Sequence, residues 1–150
     1  MAGRLIPEWK DGCWAFREES FPQEQTMCFP DENHNFETYG TDGFVLGAYE
    51  SERCVGIAIF REDFFKYLYL YDLKVCAFAR RKGVGTALIQ AGLEKAKKQG
   101  YLGLYCIAQD NNLGACRFYL KNGFEIGGFN NRCYDGTSQQ GKADIYFYLK

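Results

Sequence analysis

The alternation of apolar and polar residues becomes regular from residue 43 onward and predicts a run of antiparallel strands. Residues 44–49 and 54–60 are rich in β-branched and aromatic side chains and flank a charged turn, which predicts a hairpin. A third strand is predicted over residues 67–75, after a second turn. Strict alternation divides its side chains between two faces, with Tyr67, Tyr69 and Tyr71 on one and Leu68, Leu70 and Asp72 on the other.

Two helices and three more strands are predicted after this meander. Helical periodicity runs over residues 84–98 and ends before Gly100, and its predicted buried stripe consists of Val84, Leu88, Ile89, Leu93 and Ala96. A strand follows over residues 101–108. Asp110-Asn111-Asn112 supplies an N-cap for a second helix that stops at Gly123 and carries apolar positions 115, 118 and 119 on one face. Strands over 124–129 and 143–149 complete a mixed α/β fold, a mostly antiparallel sheet flanked by helices.

The first 40 residues carry a weaker pattern, in which short helical turns are predicted around residues 7–20. Their aromatic side chains, such as Trp9, Trp14 and Phe16, are expected to cover part of the protein, because a disordered segment would not carry them. His34 lies between two asparagines and is interpreted as a surface residue.

Composition indicates a single domain spanning residues 1–150, without a secretory leader or a membrane-spanning segment. The seven cysteines are odd in number and form no Cys-x-x-Cys pair, and the sequence has one histidine. We therefore expect neither a disulfide framework nor a metal site, and free thiols favour the reducing cytoplasm.

Charge is distributed unevenly, although the net charge is −1. Residues 1–66 carry 13 acidic and 6 basic side chains, whereas residues 67–150 carry 6 acidic and 12 basic ones. Either this reflects solvated loops, or the second half binds an anionic ligand and the first half lines a site for a cationic substrate. No long basic stripe points to a nucleic-acid partner, and no membrane partner is expected.

The most informative stretch is the basic loop between the third strand and the first helix, Arg80-Arg81-Lys82-Gly83-Val84-Gly85-Thr86. Glycines allow a ligand close to the backbone, and the opening amides of a helix lack intrahelical acceptors and attract anions. The loop predicts a diphosphate site, and the alternative is a tight turn with a solvated basic rim. It matches neither a Walker loop nor the dinucleotide fingerprint, which needs a small residue where Leu88 stands.

Two motifs follow each other at a specific spacing. Arg80-x-x-Gly83-x-Gly85 comes after a strand that ends Leu73-x-Val75, and Asn112-x-x-Ala115-x-x-Phe118-Tyr119-x-x-x-Gly123-Phe124 comes next. Together they resemble the GNAT superfamily of N-acetyltransferases, and the resemblance implies a GNAT-like acyl-CoA N-acyltransferase fold. The run 109–127 and the aromatic strand 145–149 are most similar to the streptothricin N-acetyltransferases.

The resemblance implies acetyl-CoA as cosubstrate and assigns its binding residues. Its diphosphate would lie on the amides of the basic loop, at Arg80, Arg81, Lys82, Gly83, Val84, Gly85 and Thr86. Its pantetheine arm would pair, like an added strand, with the exposed backbone of Leu73, Lys74 and Val75, where strands 67–76 and 101–108 are expected to separate. Asn112 would hydrogen-bond the same arm.

The resemblance also assigns Tyr119 as the general acid that protonates the leaving thiolate, because a phenol with a pKa of about 10 keeps its proton until thiolate appears. The alternative for Tyr119 is a core aromatic on an amphipathic helix. Asp72 is the candidate base, acting through water or holding the substrate ammonium, although a lone strand carboxylate is as often a surface group. The streptothricin enzymes have a Glu-Asp pair where this chain has Tyr71-Asp72.

Other reactive side chains receive structural interpretations. Glu62 and Asp63, at the turn before the third strand, are interpreted as solvated, and Cys76 and Cys116 as small core residues without a partnering histidine. The predicted function is acetyl transfer from acetyl-CoA to a primary amine of a small cationic acceptor, such as a streptothricin-type antibiotic. A protein lysine or N-terminus as acceptor, a non-catalytic acyl-CoA-binding module and a homodimer stay open.

Overall fold

A computed structural model describes residues 3–22 and 42–150. It divides the chain into a central unit, residues 32–106 with Lys150, and a terminal unit, residues 1–31 and 107–149. In chain order the elements are β1 Gly3–Lys10, β2 Cys13–Ser20, β3 Gly43–Glu50, β4 Arg53–Arg61, β5 Tyr67–Val75, a 3-10 turn Ala77–Ala79, α1 Val84–Lys98, β6 Gly103–Gln109, α2 Leu113–Lys121, β7 Glu125–Asn130 and β8 Asp144–Leu149.

The central unit is built on the strand order β3-β4-β5-β6, antiparallel except for the parallel pair β5 and β6. This confirms the predicted mixed sheet, and α1 has the predicted bounds. α1 covers one face of the strands, where a side chain on Gly56 would overlap Val84 and one on Gly92 would overlap the Phe60 ring. Glycine at these two positions lets the helix and β4 approach closely. The buried stripe of α1 includes the predicted residues Leu88, Ile89, Leu93 and Ala96.

The terminal unit contains the β1–β2 hairpin, α2 and the antiparallel pair β7 and β8. The backbone N–H of Leu5 on β1 donates to the carbonyl oxygen of Asp110 at 2.8 Å, and the N–H of Asp110 donates to Ala143 at 2.8 Å. Asp110 therefore links the hairpin and the start of β8 to the residues that precede α2. The last two strands and α2 agree with their predicted positions to within one or two residues.

The prediction of helical turns around residues 7–20 is wrong, because this segment is an antiparallel hairpin. Its turn is Asp11-Gly12, and both residues have positive φ, 52° and 80°. Asp-Gly is favoured in two-residue hairpin turns because both central positions need positive φ. Trp9 is 61% exposed and packs edge-on against Trp14 across the hairpin, so these rings cover each other and not a core. His34 lies outside the described residues.

A bulge in β5 changes the predicted faces of the third strand. Phe60 pairs with Leu70, but its neighbour Ile59 pairs with Asp72, so Tyr71 is an extra residue in β5. Paired residues share a face and adjacent residues on β4 point to opposite faces. Strict alternation predicts that Asp72 shares a face with Leu68 and Leu70, and this prediction is wrong. In the structure Asp72 lies on the opposite face, away from α1.

Neither helix in the described ranges has the length and hydropathy needed to cross a membrane. The cysteines that the structure describes are free thiols: Cys13, Cys54, Cys76, Cys106, Cys116 and Cys133.

Candidate active site

The basic loop ends in a helix N-terminus that no side chain caps. Arg81 and Gly83 have φ values of 66° and 80°, and α1 begins directly afterwards at Val84. Gly83 occupies the N-cap position without a side-chain hydrogen bond, and the first turn of α1 contains no acidic residue. A side chain on Gly83 would meet nothing within 4 Å, so glycine is needed here for its positive φ and not for space. In the described part of the chain, the positive end of the helix dipole is thus offset neither by a side-chain cap nor by an acid of the first turn.

Two basic side chains of this loop have defined partners. The Arg80 Nε donates to the carbonyl oxygen of Val75 at 3.2 Å, which ties the loop back to the end of β5. The Lys82 Nζ lies 3.9 Å from the Glu50 carboxylate at the end of β3. Both cations are exposed, and a planar guanidinium has further donors beside its Nε. The loop therefore offers positive charge and backbone amides at the same end of α1.

The end of β5 differs from its beginning in how it is paired. In the described part of the chain, the ladder between β5 and β6 runs from Tyr67–Gly103 to Tyr69–Tyr105. Beyond Tyr69, β5 continues to Val75 with β4 as its ladder partner. This is the stretch that contains Leu73, Lys74 and Val75, the residues predicted to accept the pantetheine arm as an added strand. The ladder ends where the family resemblance implies that the two strands separate.

Asp72 lies on the sheet face opposite α1, beside three tyrosines. Tyr69 stacks on Tyr105 with ring centroids 4.7 Å apart, and it meets Tyr71 edge-on at 5.8 Å. We call these rings, Tyr69, Tyr71 and Tyr105, the tyrosine face. The Asp72 carboxylate is 18% exposed and pairs with the ammonium of Lys74 at 3.5 Å. Asp72 is thus a largely covered carboxylate that already holds an alkylammonium group.

The acidic turn after β4, Glu62-Asp63, is interpreted from sequence as solvated. It is exposed in the structure, but it also makes specific contacts. The Tyr105 hydroxyl donates a short hydrogen bond to the Asp63 carboxylate, whose other oxygen accepts from the Phe64 N–H at 2.7 Å. Burial, together with the neighbouring Glu62 carboxylate, raises the pKa of Tyr101. Two consecutive carboxylates therefore pair with two tyrosines, Tyr101 just before β6 and Tyr105 on β6. Sequence spacing gave no signal for this, because the partners are about 40 residues apart.

Asn112 caps α2, as predicted. Its Oδ1 accepts a hydrogen bond from the Ala115 N–H at 3.3 Å. The oxygen of this amide is therefore used by the helix, and its two N–H donors are what Asn112 can offer to a ligand. Side-chain capping contributes about 1 kcal/mol to a helix. Asn112 thus has a structural role that exists whether or not it also contacts a cosubstrate.

Tyr119 lies about two helical turns after Asn112 on α2. Its ring is half-buried and packs against Phe118, Phe124 and Phe147, with centroid distances of 5.7, 5.2 and 5.6 Å. The fully buried positions of α2 are Leu113 and Cys116, and not the predicted positions 115, 118 and 119. Tyr119 therefore stands at the margin of the packed side of α2, where its ring is held by other aromatics.

The two cysteines interpreted as core residues differ. Cys116 is buried, and burial, with the nearby Asp110 carboxylate, raises the pKa of its thiol to about 12, so it remains protonated near neutral pH. Cys76 is exposed and precedes the 3-10 turn, so its assignment to the core is wrong. Within the described ranges, no group of three or more His, Cys, Asp or Glu side chains is arranged to hold a metal ion.

Comparison with known proteins gives a consistent set of similarities. Residues 9–124 match the family model described as the acetyltransferase (GNAT) family. The chain is 32% identical to streptothricin acetyltransferase A of Bacillus subtilis (strain 168), over 99% of this chain and 86% of the relative. A crystal structure of a proposed streptothricin acetyltransferase from Bacillus anthracis strain Ames, in complex with acetyl coenzyme A, is similar with a TM-score of 0.86 and 27% identity, over 99% of this chain and 84% of that one. The crystal structure of nourseothricin acetyltransferase shares the fold, with a TM-score of 0.78 and 23% identity, over 99% and 84% of the two chains.

Proposed function

Because the chain belongs to the GNAT family of acetyltransferases and is an acetyl-CoA-dependent enzyme, we propose that it acetylates a primary amine of a small cationic acceptor of the streptothricin type. The family match extends over residues 9–124 and so includes segments of both units. We take residues 1–150 as one N-acetyltransferase domain. The free thiols of the described residues suit the reducing cytoplasm, where we place the reaction.

The main observation that supports a cosubstrate site is the N-terminus of α1, which has no side-chain cap. A diphosphate needs several N–H donors and positive charge, and helix N-termini preceded by glycine-containing loops supply both. Here Gly83 leaves the first-turn amides without a side-chain acceptor, and no acid in that turn competes. The loop before this turn carries Arg80 and Lys82. The proposal assigns the diphosphate to residues 80–86, the pantetheine arm to residues 73–75, and one donor to the arm from Asn112.

Acetyl transfer then needs one group that removes a proton from the acceptor ammonium and another that gives a proton to the departing thiolate. An alkylammonium with a pKa of about 10.4 cannot attack a thioester until it is deprotonated. Asp72 holds the ammonium and takes this proton, directly or through water. As the new C–N bond forms and the C–S bond breaks, Tyr119 gives its phenolic proton to the thiolate. General acids of this kind contribute about 10²–10⁴-fold to a rate.

The acceptor is proposed from chemistry and from the relatives. The relative with 32% identity carries streptothricin in its name, and the B. anthracis structure is described in the same way. The covered carboxylate of Asp72 and the tyrosine face suit a cation, because aromatic faces and carboxylates both attract positive charge. One difference affects the choice of antibiotic, since the resemblance implies a glutamate at the position where this chain has Tyr71.

The test is a screen of acetyl-CoA consumption with the purified protein. The acceptors are streptothricin, an aminoglycoside, a polyamine, free lysine and lysine peptides, each followed by mass spectrometry of the product. We expect streptothricin or another small polycation to gain about one acetyl group per CoA released, by the stoichiometry of a direct transfer. Calorimetry with CoA, performed beside the screen, measures the cosubstrate site separately.

Two other outcomes would redirect the proposal. Acetylation confined to the lysine peptides would move the acceptor to a protein, and the small-molecule assignment would be wrong. Binding of CoA without transfer to any amine would indicate an acyl-CoA-binding module and would contradict the roles of Asp72 and Tyr119.

A further inference from the structure

The tyrosine face and its two flanking carboxylates form a surface suited to more than one positive charge. Asp72 lies at one end of this surface, next to Tyr71, because of the bulge in β5. Asp63 lies at the other end, on the hydroxyl of Tyr105. The stacked rings of Tyr69 and Tyr105 separate the two ends. The acidic groups are therefore not one cluster but two positions, joined by aromatic rings.

Two cations of the protein itself already use this surface. The Arg61 guanidinium lies over the Tyr71 ring, 5.3 Å from its centroid. The Lys74 ammonium lies 3.5 Å from the Asp72 carboxylate, although the Lys74 side chain is 55% exposed. Lys74 ends in the same primary ammonium group as the proposed acceptor. The protein thus demonstrates with its own side chains that the rings and the carboxylate accept cations.

Asp63 has capacity for a further donor. An ionised carboxylate offers about four lone-pair positions, and the contacts seen at Asp63 are those from Tyr105 and from the Phe64 N–H. The hydrogen bond from Tyr105 fixes the carboxylate toward the tyrosine face, because Tyr105 is itself stacked on Tyr69.

From this arrangement we propose that Asp63, positioned by Tyr105, binds a second cationic group of the acceptor while Asp72 holds the amine that is acetylated. The inference rests on the proposed function and adds to it a preference for acceptors that carry two positive charges. An acceptor with two ammonium groups on one alkyl chain binds at both ends of the tyrosine face, whereas a monoamine binds at Asp72 alone. Asp63 and Tyr105 therefore determine specificity for dications.

The experiment compares 1,5-diaminopentane with pentylamine, which have the same five-carbon chain but two and one ammonium groups. Each is titrated as a competitor against the best acceptor of the screen, at saturating acetyl-CoA, and the product of that acceptor is quantified by chromatography. For the unaltered protein we expect the diamine to have an inhibition constant about tenfold lower than that of pentylamine, the scale of one charged hydrogen bond. In Asp63→Asn and in Tyr105→Phe, this ratio should fall to about twofold.

The neighbouring pair provides matched controls. Glu62→Gln removes one negative charge from the same turn, and Tyr101→Phe removes one hydroxyl from the same strand region. Neither side chain belongs to the tyrosine face, so both variants should retain the tenfold ratio. If Glu62→Gln lowers the ratio as much as Asp63→Asn does, the effect is general charge attraction and the assignment of Asp63 is wrong.

The result also separates this inference from the proposed function. If the protein acetylates an amine but shows equal constants for the two competitors, or if Asp63→Asn keeps the ratio, the second cation site is refuted and the acetyltransferase assignment stands. If no amine is acetylated at all, the proposed function fails and the inference fails with it.

Discussion

The two α-helices in residues 3–22 and 42–150 begin in opposite ways. α2 is closed at its start by Asn112, whose side chain accepts from the Ala115 N–H at 3.3 Å. α1 starts at Gly83, which supplies no side chain, and its first turn has no acidic residue. The usual reason for an N-cap is to satisfy amides that otherwise lack acceptors. The bare N-cap position of this long, well-packed helix therefore supports the proposal that a ligand anion supplies the missing acceptor.

The largest expected effect on this contrast comes from placing a negative charge at the N-cap of α1. In Gly83→Asp, a carboxylate at the N-cap competes with the diphosphate and repels it. Two like charges a few ångströms apart near a protein surface interact by about 4 kcal/mol, so calorimetry should show a loss of CoA affinity of about two to three powers of ten. Gly83→Asn is the matched control, because both residues tolerate positive φ but only aspartate is charged. Equal losses of CoA affinity in the two variants would mean that the effect comes from backbone strain at residue 83 and not from the added charge.

An effect of comparable size, on turnover instead of binding, is expected for the phenol on α2. Tyr119→Phe keeps the ring that packs against Phe118, Phe124 and Phe147. We expect kcat to fall by about 10²–10⁴-fold, with the KM for acetyl-CoA and the Tm nearly unchanged. Tyr134→Phe removes a different hydroxyl, which bonds Asp144 at 2.7 Å, and should leave kcat unchanged. A Tyr119→Phe enzyme with full turnover would leave Tyr119 as a packing residue only.

A third pair of variants separates the two roles of Asn112. Asn112→Ala loses the cap, at a cost of about 1 kcal/mol, which corresponds to a fall in Tm of about 3 °C. Asn112→Asp keeps an oxygen that can cap the helix but loses both N–H donors. We expect it to keep the Tm while the KM for acetyl-CoA rises by about 2–10-fold, the range of one hydrogen bond. An unchanged KM in Asn112→Asp would mean that Asn112 serves α2 alone.

The smallest expected effect lies at the contact that fastens α2 to β2. Arg117 donates to both Glu18 carboxylate oxygens at 2.8 and 2.7 Å, and this hydrogen bonding lowers the pKa of Glu18. A lowered carboxyl pKa stabilises the fold above the unfolded value of about 4.3, and the contribution is lost as the pH falls through the folded value. The Tm of Glu18→Gln should therefore lie slightly below that of the unaltered protein at pH 7, and the gap should narrow as the pH falls below the unfolded carboxyl pKa. A gap of constant size across this range would exclude the ionised pair as its cause.

Much of the central unit could be predicted from sequence because its signals are local. The bounds of α1 follow from its periodicity and from Gly100, and the bounds of β5 follow from the tyrosine–leucine alternation. The hairpin of β1 and β2 could also have been found, since Asp11-Gly12 is a turn signal that outweighs the weak helical pattern around it. The prolines and acidic residues in residues 1–40 favour loops and short helical turns, and they obscure this turn signal.

Other features depend on contacts between distant residues and leave no local signal. Nothing in the sequence around Asp72 marks Tyr71 as an extra residue, because a bulge is defined by the register with β4. The bond between Asp63 and Tyr105 joins two segments that only the fold of the central unit brings together. The identity of the candidate residues could thus be predicted, but not which face they share.

The extra residue in β5 has a consequence for how this chain tolerates insertions and deletions. Removing Tyr71 would restore uniform pairing, and the strand would be locally more regular. The same deletion would leave Asp72 to Val75 opposite their present partners on β4, so each of these side chains would keep its face. Asp72 and Lys74 would stay on the face away from α1, and Leu73 would stay on the face that α1 covers. Loss of this one codon would therefore preserve both the sheet and the side on which the carboxylate lies.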